Sequence, residues 1–319
     1  SESLVGEAST GDMETLFQLL HLQMTEPTIS DLQVRQFDEG WRPLAQDPSI
    51  NPPIAGDLEL WRLRYGDSHW FRLIPTINDL DGLDPDLLLR SYRDRFADAG
   101  DFVFAVVGDF DPTELIDLGA RYLGTLPDSG RREVPIDRDP GVPEENLVAT
   151  VVAGVGDQGR LRINWESPFP FTLEADVAAQ ALGLVVNARL RDLIREELGA
   201  SYAPNASVGV LAEPKSWVDT IIEVESDPDR VDEVSQVVRQ ELERIRSGEL
   251  DQRYLDLAVE QLAESYRFFN NNQWLDLLLF HTRYRDRPAR EFHTRTPIAQ
   301  QLTIADMAEI AEQVFPPTR

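Results

Sequence analysis

The segment from Leu173 to about Leu198 constrains this chain more than any other. It reads as one long helix, and Gly199 stands just past its end, where a left-handed residue closes a helix most easily. Strand-like segments flank it in pairs: Leu147–Ala153 and Leu161–Trp165 before, Val208–Leu211 and Val218–Glu225 after. In the last of these, Val218, Thr220, Ile222 and Val224 alternate with Asp219, Glu223 and Glu225, the period of a strand with one buried face. Asp227 and Asp229 then open a helix with Val231, Val234, Val238, Leu242 and Ile245 on one side, and helices follow over about 250–269, 273–284 and 303–314. The order β-β-α-β-β-α-α-α-α predicts an α+β fold, a two-layer sandwich with helices on one face of an antiparallel-rich sheet.

The first part of the chain is richer in helix. Residues 10–25 carry an apolar stripe of Met13, Leu16, Leu19, Leu20 and Met24, and a second helix starts at Ser30. A short helix is expected from Asp57 to Tyr65 after the break at Pro52-Pro53, then helices opened by Asp84-Pro85 and Asp111-Pro112. Phe102–Val107 is a continuous apolar run of the kind found in a buried strand. The stretch Thr76–Phe96 resembles Thr296–Phe315, a weak internal repeat. Pro, Gly, Asp and Arg crowd residues 125–145. The organisation expected is a first α/β domain over 1–128, of which only the later part is present, a linker over 129–145, and a second domain over 146–319.

Composition excludes whole classes of function. Without cysteine the chain has no disulfide framework, thiolate zinc site, iron–sulfur cluster or cysteine nucleophile. It also suits either redox environment, so it leaves the compartment open. A formal charge of −27 is the wrong sign for nucleic acid, and no apolar run is long enough to span a membrane. Lys215 stands alone against 29 arginines, with 31 Asp and 26 Glu. An acidic, lysine-poor surface is what a protein of a salt-loving prokaryote would carry, because salt screens its self-repulsion.

The four histidines, His21, His69, His281 and His293, are not at metal-ligand spacing, and neither His-Glu-x-x-His nor His-x-x-Glu-His occurs. No metal site is therefore expected in this chain. Gly154-Val-Gly-Asp-Gln-Gly159 matches a dinucleotide-binding pattern, but the residues after it read as a strand, so a hairpin turn is expected. The segment Arg195-Glu-Glu-Leu-Gly-Ala-Ser-Tyr202 is different in kind. It turns from a helix into a strand, and such a corner can aim a guanidinium and a phenol, both donors to a carbonyl oxygen, into one space. On spacing alone, Arg195 could equally support the helix C-terminus while Tyr202 packs.

That segment resembles the late Arg…Tyr motif of the insulinase/pitrilysin family of zinc metallopeptidases, the inverzincins. Further stretches agree in order: Glu14-Thr-Leu-Phe-Gln-Leu-Leu-His21, Tyr65-Gly-Asp-Ser-His69, the helix and run from Tyr92 to Asp109, and Tyr122-Leu-Gly-Thr-Leu-Pro127. The resemblance implies the LuxS/mitochondrial-processing-peptidase-like fold, in which two halves close around a peptide. It implies that this chain is the non-catalytic C-terminal half, with its first domain incomplete and zinc held by the N-terminal catalytic half. That half would belong to the same polypeptide or to a partner subunit. By the same resemblance Arg195 and Tyr202 bind substrate, and this chain alone carries no catalytic residue. A peptidase-derived binding or assembly protein without catalysis is the alternative.

Overall fold

The computed structural model describes residues 3–96, 98–131, 134, 136–197, 204–212, 215–283 and 289–315. Its contacts divide the chain into two compact units, Ser1–Gly154 and Val155–Arg319.

Among the described residues of the first unit, the regular elements are all helices, joined by long irregular stretches. It holds α1 (Met13–Thr25), α2 (Asp31–Gln46), α3 (Pro52–Tyr65), α4 (Ile77–Asp81), α5 (Pro85–Phe96) and α6 (Pro112–Leu118), the last continued by one wider turn over Gly119–Leu123. Ser30 caps α2 and Thr76 caps α4, each in a reciprocal box with the residue three positions on. Pro52-Pro53 does not break the chain here. Both prolines occupy the first turn of α3, where no backbone N–H is needed, so the helix begins earlier than Asp57. Met13 and Phe17 of α1 pack against Leu118 as a small core, and the Nδ1 of His21 lies 2.8 Å from the carbonyl oxygen of Tyr122. Arg64, at the end of α3, forms a nearly buried ion pair with Asp139 at 3.0 Å and donates to the Gly141 carbonyl. Arg138 lies 3.7 Å from the centre of the Trp70 ring.

Two expected strands are absent. Phe102–Val107 and Leu147–Ala153 belong to no sheet. An apolar run supplies a face to bury but not a neighbour to bond. Among the described residues of this unit no strand is present to complete a ladder, and Val103, Val148 and Val152 stand more than half exposed. The hairpin expected at Gly154–Gly159 is likewise not formed, because its first arm is not a strand. No helix follows the glycines either, which removes the dinucleotide reading.

The second unit is the α+β sandwich expected. Strand β1 (Gly159–Pro168) leads into α7 (Leu173–Glu197), then β2 (Asn205–Leu211) and β3 (Trp217–Ser226). After them come α8 (Val231–Arg246), α9 (Gln252–Arg267), α10 (Asn271–Arg283), α11 (Arg295–Ala299) and α12 (Ile304–Val314). The sheet has the order β1-β3-β2, antiparallel throughout, with Ile163 opposite Ile222 and Val208 opposite Thr220. The alternation in β3 falls as the sequence indicates: Val218, Thr220, Ile222 and Val224 are fully buried. Against that face lie Val177, Leu182, Val185, Val186, Leu190 and Ile194 of α7, with α8, α9, α11 and α12 completing one core. Each such aliphatic side chain contributes roughly 1.5–3 kcal/mol by leaving water. The internal repeat is visible in outline, since α4 and α5 recur in kind as α11 and α12: a five-residue helix, then one of three turns.

Helix α7 meets the backbone of β2 at Gly183. A Cβ added there would sit 3.1 Å from the backbone nitrogen of Val208 and 3.4 Å from the carbonyl oxygen of Ala206. Gly183→Val is therefore expected to force helix and strand apart and destabilise the chain by about 2–3 kcal/mol, read as a lower urea midpoint. An unchanged midpoint would mean that the two elements are free to separate.

Candidate functional site

The Arg195…Tyr202 segment joins two well-fixed elements. One turn after Gly183, the Asn187 side chain accepts from the backbone N–H of Ala206 at 2.6 Å and donates to its carbonyl at 2.8 Å. Both backbone groups of an edge-strand residue are thereby tied to the helix that carries Arg195. Tyr202 itself, with residues 198–203, lies outside the described residues.

Arg195 stands in the last turn of α7 with 69% of its side chain exposed. Its Nη2 donates to Oδ1 of Asp192 at 3.2 Å, one helical turn back. That carboxylate continues inward. Its Oδ2 accepts from the Tyr254 hydroxyl of α9 at 2.8 Å, and Arg253 approaches it to 3.8 Å. The Tyr254 ring is 3% exposed. Its oxygen also accepts from Arg253 at 2.6 Å and from Arg189 at 3.2 Å, so the one donor and both acceptor positions of the phenol are used. Both guanidinium groups lie against its ring, Arg189 at 4.8 Å and Arg253 at 4.6 Å from the centroid. Arg189 then pairs through Nε with Oε1 of Glu241 on α8 at 2.5 Å. Glu241 is 1% exposed, and its hydrogen bond holds the Arg189 guanidinium above its ordinary range against the effect of burial. A continuous polar chain thus runs from the core to the exposed guanidinium: Glu241, Arg189, Tyr254, Asp192, Arg195.

The sequence singles out Arg195, the exposed end of this series, and none of its other members. Glu241 carried a signal, because it lies three residues beyond Val238 and beside Leu242 on the apolar side of α8. A carboxylate there needs a buried partner. Tyr254 and Arg189 carried none, since a phenol or an arginine on a half-apolar helix is ordinary.

No group of three or more His, Asp or Glu residues able to hold a metal ion occurs among the described residues. His69 lies beside Trp70, and His293 beside Phe292. The described residues offer no ligand set that fits a zinc ion, and no helix among them is long and apolar enough to cross a membrane.

Comparison with known proteins gives this architecture a family. The crystal structure of the periplasmic protease PqqL from Escherichia coli superposes with a TM-score of 0.77 at 19% identity, over 97% of this chain and 34% of that one. A peptidase M16 inactive domain from Pseudomonas fluorescens gives 0.76 at 16% identity, over 97% and 73%. In sequence, the chain is 23% identical over 289 residues to a protein of Arabidopsis thaliana named zinc protease PQQL-like, covering 84% of this chain and 30% of that protein. The family described as the peptidase M16 inactive domain matches residues 87–262, and the chain belongs to it. This is the insulinase/pitrilysin group that the motifs resemble. The chain spans about 30% of the length of the curated relatives it matches.

Proposed function

We propose that this chain is the C-terminal, non-zinc-binding part of a metallopeptidase, which binds peptide and completes the active site of a zinc-carrying N-terminal catalytic half. The observation that carries the reading is Arg195. It is a guanidinium held at the end of an anchored helix, largely exposed, in a domain of the M16 inactive family. Four of its five N–H donors remain for a ligand beyond the one given to Asp192. Donors so placed suit the backbone carbonyls of an extended peptide. Tyr202 is assigned the second donor on the strength of the motif. A first domain over 1–128, a linker over 129–145 and a second domain over 146–319 are kept as part of this proposal, although the contacts divide the chain later, between Gly154 and Val155.

The test is complementation. Expressed separately, neither this chain nor the catalytic half should cleave an unstructured peptide, whereas mixing them should restore cleavage. Metal analysis by mass spectrometry should find zinc with the catalytic half and none in stoichiometric amount with this chain. Mixed halves that bind peptide without cutting it would favour the assembly reading, and one tightly held zinc per isolated chain would overturn the division of labour.

The charge of −27 with a single lysine supports a further element, adaptation to concentrated salt. Repulsion among surface carboxylates opposes compaction until counter-ions screen it. Salt also weakens the many exposed Arg–carboxylate pairs, but each of those is worth only about 0–1 kcal/mol. The melting temperature is expected to rise from low to molar KCl, and a flat or falling curve would remove the salt-loving assignment.

A further inference from the structure

We infer that Asp192, braced by Tyr254, is a positioning residue for Arg195, holding the guanidinium in place for the peptide before the peptide arrives. The inference rests on the reading of Arg195 as a substrate-binding residue. It deepens that reading by naming what orients the side chain.

An exposed arginine–carboxylate pair one turn apart on a helix adds little to stability, because both side chains are mobile and water screens them. This pair differs in its second partner. Asp192 is only 29% exposed, and its other oxygen is held at 2.8 Å by the hydroxyl of the buried Tyr254. Tyr254 is in turn fixed by Arg189 and Arg253, and Arg189 by the buried Glu241. Asp192 therefore does not follow the motion of Arg195. The carboxylate is a fixed post, and the guanidinium is tied to it by one edge at 3.2 Å while the other edge stays open. Binding a peptide then needs less ordering of a long, rotamer-rich side chain, and ordering such a side chain is a cost that affinity must otherwise absorb.

The experiment is a double-mutant cycle in the assembly with the catalytic half, measuring KM, kcat and melting temperature for Asp192→Ala, Arg195→Ala and the pair together. Asp192→Ala is expected to raise KM about fivefold, the scale of ordering one such side chain, with kcat within about twofold of the parent. In the Arg195→Ala background the same change should add nothing to KM. Tyr254→Phe, which removes the hydroxyl that braces Asp192 and accepts from Arg189 and Arg253, should raise KM about twofold and likewise lose its effect on KM without Arg195. If the alanine variant does not fold, Asp192→Asn keeps the acceptor shape and should raise KM by an intermediate amount. A KM that falls on removing Asp192 would show competition for Arg195 and overturn the inference. So would an increase of equal size in both backgrounds, or a lower melting temperature with KM unchanged. If Arg195→Ala leaves KM untouched, the substrate-binding reading fails, and the inference fails with it. If Arg195→Ala raises KM and Asp192→Ala does not, only the positioning role is lost.

Discussion

Glu241→Ala is expected to destabilise the chain by about 3 kcal/mol and to lower its melting temperature by about 10 °C. The carboxylate is fully buried, and its partner Arg189 keeps only 18% of its side chain in contact with solvent. Removing the acid strands a positive charge in a region that α7, α8 and α9 have closed to water, and a charge left so costs far more than the pair contributed. The residual link to Tyr254 and the partial exposure of Arg189 place the loss at the lower end of the usual range for a broken buried pair. Glu241→Gln keeps an acceptor for Arg189 and should cost about half as much. The double change Arg189→Met with Glu241→Leu removes both charges and should recover most of the stability, because well-packed apolar groups replace such pairs at little cost. Urea unfolding of the four proteins decides it. A loss under about 1 kcal/mol for Glu241→Ala would mean that water reaches Arg189 and that the network does not brace α7. The double variant is informative in another way, since it should fold normally while leaving Tyr254 and Asp192 less firmly held.

The second unit was legible in the sequence because its signals are local and agree with one another. Strict alternation in Val218–Glu225 fixed the buried face of β3, and the apolar side of Asp227–Ile245 fixed that of α8. The long apolar helix with Gly199 behind it placed α7 between the strands. In the first unit most helices were legible from their caps and apolar stripes, though the short α4 was not read, whereas Phe102–Val107 and Leu147–Ala153 were not strands, because a strand exists only with a partner and periodicity is silent about partners. Pro52-Pro53 misled for a related reason. A proline ends a helix or begins one according to whether a preceding residue can cap it, and here Asn51 accepts from the Ile54 N–H.

The site divides along the same line. Arg195 was singled out through a motif of eight consecutive residues, a local pattern. Arg189 and Asp192 share α7 with Arg195, but Glu241 on α8 and Tyr254 on α9 stand 52 and 65 residues from Arg189, so no local pattern joins the whole set. Asn187 is similar: its two bonds to Ala206 span the very turn the motif covers, yet nothing in the sequence marks it. A single buried carboxylate on an apolar helix face was the one trace of the network that the sequence held.

Tyr202→Phe is expected to lower the turnover of the assembled two-half enzyme about 100-fold while leaving its stability almost unchanged. As a peptide bond is hydrolysed, negative charge builds on the carbonyl oxygen. A donor already aimed at that oxygen is worth on the order of 3 kcal/mol, which is the factor of about 100. Phenylalanine removes the hydroxyl and nothing else. Arg195→Ala should act differently, raising KM as well as lowering kcat, because a charged donor also holds the ground-state carbonyl. Its single exposed link to Asp192 predicts little loss of stability, under about 0.5 kcal/mol. The two variants therefore separate a donor used mainly in the transition state from one used throughout, and steady-state kinetics with a melting curve for each makes the distinction. A Tyr202→Phe enzyme that turns over at the parental rate would remove the phenol from the chemistry. One that is fully active yet melts well below the parent would show that Tyr202 packs within its own unit, the other use that its place after the helix allows.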